Sequence, residues 1–139
     1  MNAPGLKNRG AKETGGSIQQ VSGSGGSASG PTARPSPRRA AAVLVAEVLE
    51  NGRALDDALA DTRSFTVLEG RDRGFARAIA STTLRRLGGI DDVLRSFLEK
   101  PLEQAAPLAR AILRTGAAQL LAMGTPPHAV VSESVELAR

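Results

Sequence analysis

Cysteine, tryptophan and tyrosine are absent from this 139-residue chain, and phenylalanine occurs only as Phe65, Phe75 and Phe97. Without cysteine there can be no disulfide, no thiolate metal ligand and no cysteine nucleophile. The lack is compatible with a reducing compartment. With so few aromatics, a core must be built from Leu, Ile, Val and Ala, a palette that suits packed helices better than strands. Long apolar runs are missing too. The longest, AAAVLVA at 40–46, is far too short to span a bilayer, and no secretory apolar segment follows Met1. The expectation is a soluble, cytoplasmic protein with no membrane partner.

Chemistry-bearing clusters are equally scarce. The single histidine, His128, follows Pro126-Pro127. It has no neighbouring Cys, His or carboxylate set that would make a metal site, and reads as a residue that caps or packs at the start of the last helix. One histidine cannot support a confident Ser/His/Asp order. Asp56-Asp57 and Asp91-Asp92 are adjacent pairs; neighbours on a helix point apart, so neither is a good acid–base dyad. No glycine-rich phosphate loop follows a strand. A chain without catalytic residues, metal site or cofactor site is expected, which leaves binding or scaffolding.

What is present divides at about residue 36. Residues 1–35 contain GGSIQQVSGSGGSASGPTARP, too rich in Gly, Ser and Pro to bury apolar surface, and are expected to be a disordered, basic tail. The net charge of +4 is uneven: residues 1–37 hold Lys7, Arg9, Lys12 and Arg34 against Glu13, whereas residues 38–139 hold 14 Lys or Arg against 13 Asp or Glu. Any affinity for a polyanion must therefore rest on local clusters.

From Ser36 onward the pattern is helical. Ser36 is placed as an N-cap with Pro37 in the first turn. Ala41, Leu44, Val45, Val48 and Leu49 fall at i, i+3, i+4, i+7 and i+8, an amphipathic stripe that Asn51-Gly52 ends. A short helix follows around Leu55, Ala58 and Leu59; residues 62–69 read as a connection. A long helix is expected from about Glu69 to Leu87 with Phe75, Ile79, Thr83 and Leu87 on one side, broken at Gly88-Gly89. Ile90, Val93, Leu94, Phe97 and Leu98 mark another apolar face, closed by Pro101. The segment from Pro107 to Met123 is apolar on most sides and reads as the buried centre, with Leu113 in the core. A last helix runs from about His128. No window alternates with period two, so the fold class is all-α, with about six helices.

Three arginine groups are candidates for function. Arg34, Arg38 and Arg39 cluster at the N-terminus of the first helix, where positive charge opposes the macrodipole; on spacing alone they read equally as a solubilising junction or a phosphate grip. Arg73, Arg77 and Arg85, with Ser81 between, lie along one helical face flanked by Arg71 and Arg86; a solvated face is the first reading and a binding stripe the second. Arg110 and Arg114 read as structural, expected to pair with Glu133 or Glu136.

Three stretches resemble the NusB family. PRRAAAVLVAEVLENG with the following LDDAL is similar to its opening helix pair. RDRGFARAIASTTLRRLGGIDDVLRSFL resembles its central pattern, and ILRTGAAQLLAMGTPPHAVVSESVELAR its most specific motif. Within the family, FLEKPL and PPHAVVSESVELAR look most like the N-terminal domain of RsmB-type (Sun or Fmu) ribosomal RNA methyltransferases. The resemblance implies a NusB-like helical bundle over 36–139, lacking the family's final helix and so exposing apolar surface on its last two helices. It implies an RNA-binding domain that holds small-subunit ribosomal RNA, with Arg38 and Arg39 on its RNA-contacting surface; Arg34, Arg73 and Arg77 are candidate RNA contacts on the spacing given above. It implies too that the S-adenosylmethionine and the catalytic cysteine of the parent enzyme family belong to a catalytic half absent from this chain.

Binding would be mainly electrostatic, since scarce aromatics argue against stacking as the main mode. A NusB-like transcription antitermination factor, binding single-stranded RNA with a small ribosomal protein, is the second reading. A helical protein-interaction module is the third.

Overall fold

Ser36 begins the ordered helices as its side chain allows. Its Oγ accepts the Arg39 N–H at 3.1 Å, satisfying one of the donors that a helix start leaves unpaired, and Pro37 sits where a missing N–H costs nothing. Helix α1 (Pro37–Asn51) ends at Gly52, whose φ of 69° lets its N–H close back on the Glu47 carbonyl. The computed structural model describes residues 35–138. The expected disorder of the tail and the position of Arg34 lie outside them.

Six further α-helices follow: α2 (Leu55–Asp61), α3 (Arg63–Thr66), α4 (Gly70–Arg85), α5 (Leu87–Phe97), α6 (Pro107–Ala122) and α7 (Pro127–Ala138), with a 3₁₀ turn at Leu102–Gln104 between α5 and α6. The described residues contain no strand, so the all-α expectation holds, with seven helices in place of about six. The additional helix is α3, in the segment read as a connection. It forms because one turn there buries Phe65 and, just beyond it, Leu68. The break between α4 and α5 also falls earlier than Gly88-Gly89. Arg86 donates its N–H to Thr82 and accepts from Ile90; it closes one helix and opens the next, and both glycines lie inside the first turn of α5.

Helix α1 packs on α4 and α6, and α6 also packs on α5 and α7. The main core gathers Leu44 and Val45 of α1, Ala58, Phe65, Leu68, Ala76 and Ala80, and Ala111 and Ile112 of α6. Helix α6 is central on one side only. Thr115, Ala118 and Gln119 are buried, while Leu113, Leu120 and Leu121 are 36%, 41% and 58% exposed. Leu113 is thus not the core residue its sequence context suggests. The side chain with that role is Leu44, at 0% exposure. Leu44→Ala is expected to cost about 2–5 kcal/mol and Leu113→Ala about 1 kcal/mol or less, a contrast that urea midpoints would read.

The exposed leucines of α6 face Val93 and Phe97 of α5 and Val131 and Val135 of α7 across an open groove of about 400 Å³. Phe97 is 82% exposed. Apolar surface on the last two helices is therefore present, as expected. No helix among the described residues is long and apolar enough to cross a membrane.

Candidate nucleic-acid interface

Adjacent residues on a helix diverge by about 100°, and Arg38 and Arg39 show what that does to neighbouring cations. Arg38 turns inward, with its side chain 16% exposed. Its Nε donates to Gln119 Oε1 at 2.6 Å, its guanidinium lies 3.7 Å from the Glu133 carboxylate, and its Cζ stands 5.2 Å from the centre of the Phe75 ring. One side chain thereby ties α1 to α4, α6 and α7. Arg39 turns outward. It is exposed, its side chain has no partner among the described residues, and its backbone N–H donates to the Ser36 hydroxyl.

The α4 stripe is built differently. Arg73 is exposed, but its guanidinium lies over Phe65 at 4.7 Å and its Nη1 reaches the Leu68 carbonyl at 3.4 Å. Arg77 is exposed, and its side chain has no ion pair or hydrogen bond among the described residues; its carbonyl accepts from the Ser81 hydroxyl. Arg71, Arg85 and Arg86 are exposed as well, as is Arg63 of α3. Glu69 and Asp72, the nearby acids in sequence, are exposed and form no ion pair with these arginines among the described residues. Guanidiniums left without anionic partners on helix surfaces can take phosphate oxygens in fork geometry. Arg63 carries no signal in the sequence, because four residues of helix are too few to show a period.

The other arginines are occupied. Arg114 grips Asp91 through two parallel bonds of 2.8 and 2.9 Å. Arg110 pairs with Glu50 at 2.7 Å and donates to the Glu103 and Ala105 carbonyls. Both are structural, as expected, but their partners are not Glu133 or Glu136. The helix in register with each arginine proved to be α5 or α1, while Glu133 faces Arg38. Arg53 holds the Asp61 carboxyl below its usual range, chiefly by a hydrogen bond, and Arg95 does the same to Glu103. These are exposed surface pairs of modest worth.

His128 is exposed in the first turn of α7 rather than packed, and no group of three or more potential metal ligands gathers among the described residues. The groove between α5, α6 and α7 is lined almost wholly by apolar side chains. It lacks the donors and acceptors that the sulfonium, amino-acid and ribose groups of S-adenosylmethionine demand. The groove therefore offers no polar seat for that cofactor.

Residues 35–139 match the NusB family. The ribosomal RNA small subunit methyltransferase B of Xanthomonas campestris pv. campestris is 38% identical over 102 residues, covering 73% of this chain and 23% of its own length. The transcription antitermination protein NusB of Shewanella amazonensis is 28% identical over 111 residues, covering 76% of this chain and 83% of its own length. The chain spans about a quarter of the length of the methyltransferases it matches. A crystal structure of the antitermination factors NusB and NusE in complex with double-stranded RNA superposes with a TM-score of 0.65 at 19% identity, covering 73% of this chain and 76% of that one. This similarity concerns the fold.

Proposed function

Because the chain belongs to the NusB family, we propose that it is the RNA-binding domain of an S-adenosylmethionine-dependent ribosomal RNA cytosine-C5 methyltransferase of the cytoplasm. In this reading it holds small-subunit ribosomal RNA for catalytic machinery that these residues do not contain. The observation that carries it is the set of exposed guanidiniums without anionic partners among the described residues, Arg39 on α1 and Arg77 on α4 foremost. Their role is to grip phosphates and set the register of the RNA. Arg38 serves the same surface indirectly by fixing the angle at which α1 presents Arg39. The identity to the methyltransferases, which extends over 73% of this chain, supports the choice of parent enzyme.

The test is direct binding of the full chain to a small-subunit ribosomal RNA fragment, beside an unrelated RNA hairpin of equal length. Tighter binding of the ribosomal fragment by about tenfold or more is expected, the scale of a single base-specific position. Equal affinity would overturn the ribosomal assignment.

One observation favours a second reading, a transcription antitermination factor that binds single-stranded RNA with a small ribosomal protein. The match to the Shewanella NusB covers 83% of that protein. Under that reading the small ribosomal protein raises the affinity for the single strand, and the ribosomal RNA fragment shows no preference.

A further inference from the structure

Arg73 is the exposed arginine that lies over an aromatic ring. Its Cζ stands 4.7 Å from the centre of the Phe65 ring; Phe65 is only 3% exposed while Arg73 is exposed, so a buried ring backs an arginine that solvent reaches. Beside it α4 carries two glycines in its first turns, Gly70 and Gly74. A Cβ built on Gly74 would meet nothing within 4 Å. A depression of about 280 Å³ lies here, walled by Leu59, Phe65, Gly70, Arg73, Gly74 and Arg77. Leu59 and Phe65 supply apolar wall, Arg73 a flat cationic plate, and Arg77 a free charge one helical turn away. That size suits one flat ring rather than a larger ligand.

We propose that this depression is a pocket for a single unpaired RNA nucleotide, its base stacked on the Arg73 guanidinium and its phosphate held by Arg77. The inference rests on the RNA-binding reading above and adds a mode of recognition to it. Unstacked bases are taken on arginine planes as well as on aromatic rings, and the Phe65 ring beneath fixes the plate by cation–π attraction. The Leu68 carbonyl, 3.4 Å from Arg73 Nη1, holds the same plate from its edge. A paired base cannot enter, because its faces are already stacked in the duplex. The pocket therefore selects single strands, loops and bulges, whereas phosphate contacts alone would not.

Gly74 makes the idea testable without unfolding the protein. Leucine at that position fills the pocket, and in a helix interior leucine is favoured over glycine. The experiment compares the full chain with Gly74→Leu, Arg73→Lys and Arg77→Gln. The probes are a short mixed-sequence RNA single strand and the same strand annealed to its complement. Gly74→Leu is expected to bind the single strand roughly tenfold more weakly, the scale of one stacked base, and to bind the duplex as the parent does. Arg73→Lys keeps the charge but removes the plate, so it should lose single-strand affinity in the same selective way. Arg77→Gln should weaken both probes. Single-strand affinity unchanged in both Gly74→Leu and Arg73→Lys, with helical circular dichroism intact, would overturn the pocket while leaving RNA binding standing. Equal weakening of both probes by Gly74→Leu would overturn it as well. A parent chain that binds neither probe would overturn the functional reading and this inference together.

Discussion

Arg114→Met should lower the stability of the domain by about 3–5 kcal/mol, the cost of leaving one member of a buried pair alone. Arg114 and Asp91 are each 11% exposed and meet through two parallel hydrogen bonds. They join α5 to α6, where little apolar contact holds the two together beyond Ile90, Leu94, Ala117 and Ala118. Removing the guanidinium leaves the Asp91 carboxylate buried with one remote cation, Arg95, at 4.0 Å, and that cation is already engaged by Glu103 at 2.7 Å. The double substitution Asp91→Leu with Arg114→Met should recover most of the loss, because the desolvated charge disappears along with its partner. Urea unfolding of the two variants separates these outcomes. A loss under about 1 kcal/mol in the single variant would mean that the pair does not hold α5 in place.

Arg38→Ala should cost about 2–3 kcal/mol, the range for a buried hydrogen bond to a charged group together with lost packing. The buried Gln119 carbonyl loses its donor at 2.6 Å, Glu133 loses its counter-ion, and Phe75 loses its cover. Arg39→Ala, one residue along, should leave the unfolding midpoint within experimental scatter, since its side chain has no partner among the described residues. On RNA affinity Arg39→Ala should act directly and reduce the salt slope by about 1. The arginine pair that the sequence presents as one cluster thus divides into a fastener and a contact. A stable Arg38→Ala variant, or an unstable Arg39→Ala one, would reverse that division.

The helical fold was legible because its periodicity is strong and its punctuation is chemical. Ser36-Pro37 and Gly52 bound α1 where the capping rules place them, and Pro107 starts α6. The short α3 was not legible. Four residues carry no period, and what makes them helical is the burial of Phe65, a tertiary effect. The break at Arg86 was not legible for a related reason, since glycines weaken a helix but the burial of Ile90 is a tertiary effect. The exposure of Leu113 was not legible because a helix apolar on most sides need not be covered on all of them, and coverage depends on neighbours that sequence does not position. The arginines illustrate the same limit. Composition and spacing marked them as candidates, but which are held by Gln119, Asp91 or Glu50 and which stand free depends on contacts 23 to 81 residues away in the chain.

The measurement that tests the central claim most directly is the affinity of the full chain for a small-subunit ribosomal RNA fragment as a function of salt. A surface of a few exposed guanidiniums predicts a linear fall of log affinity with log salt, with a slope of about −2 to −4 for roughly three or four phosphate contacts. No binding at low salt, or an affinity indifferent to salt, would contradict the claim that these helices present their arginines to RNA.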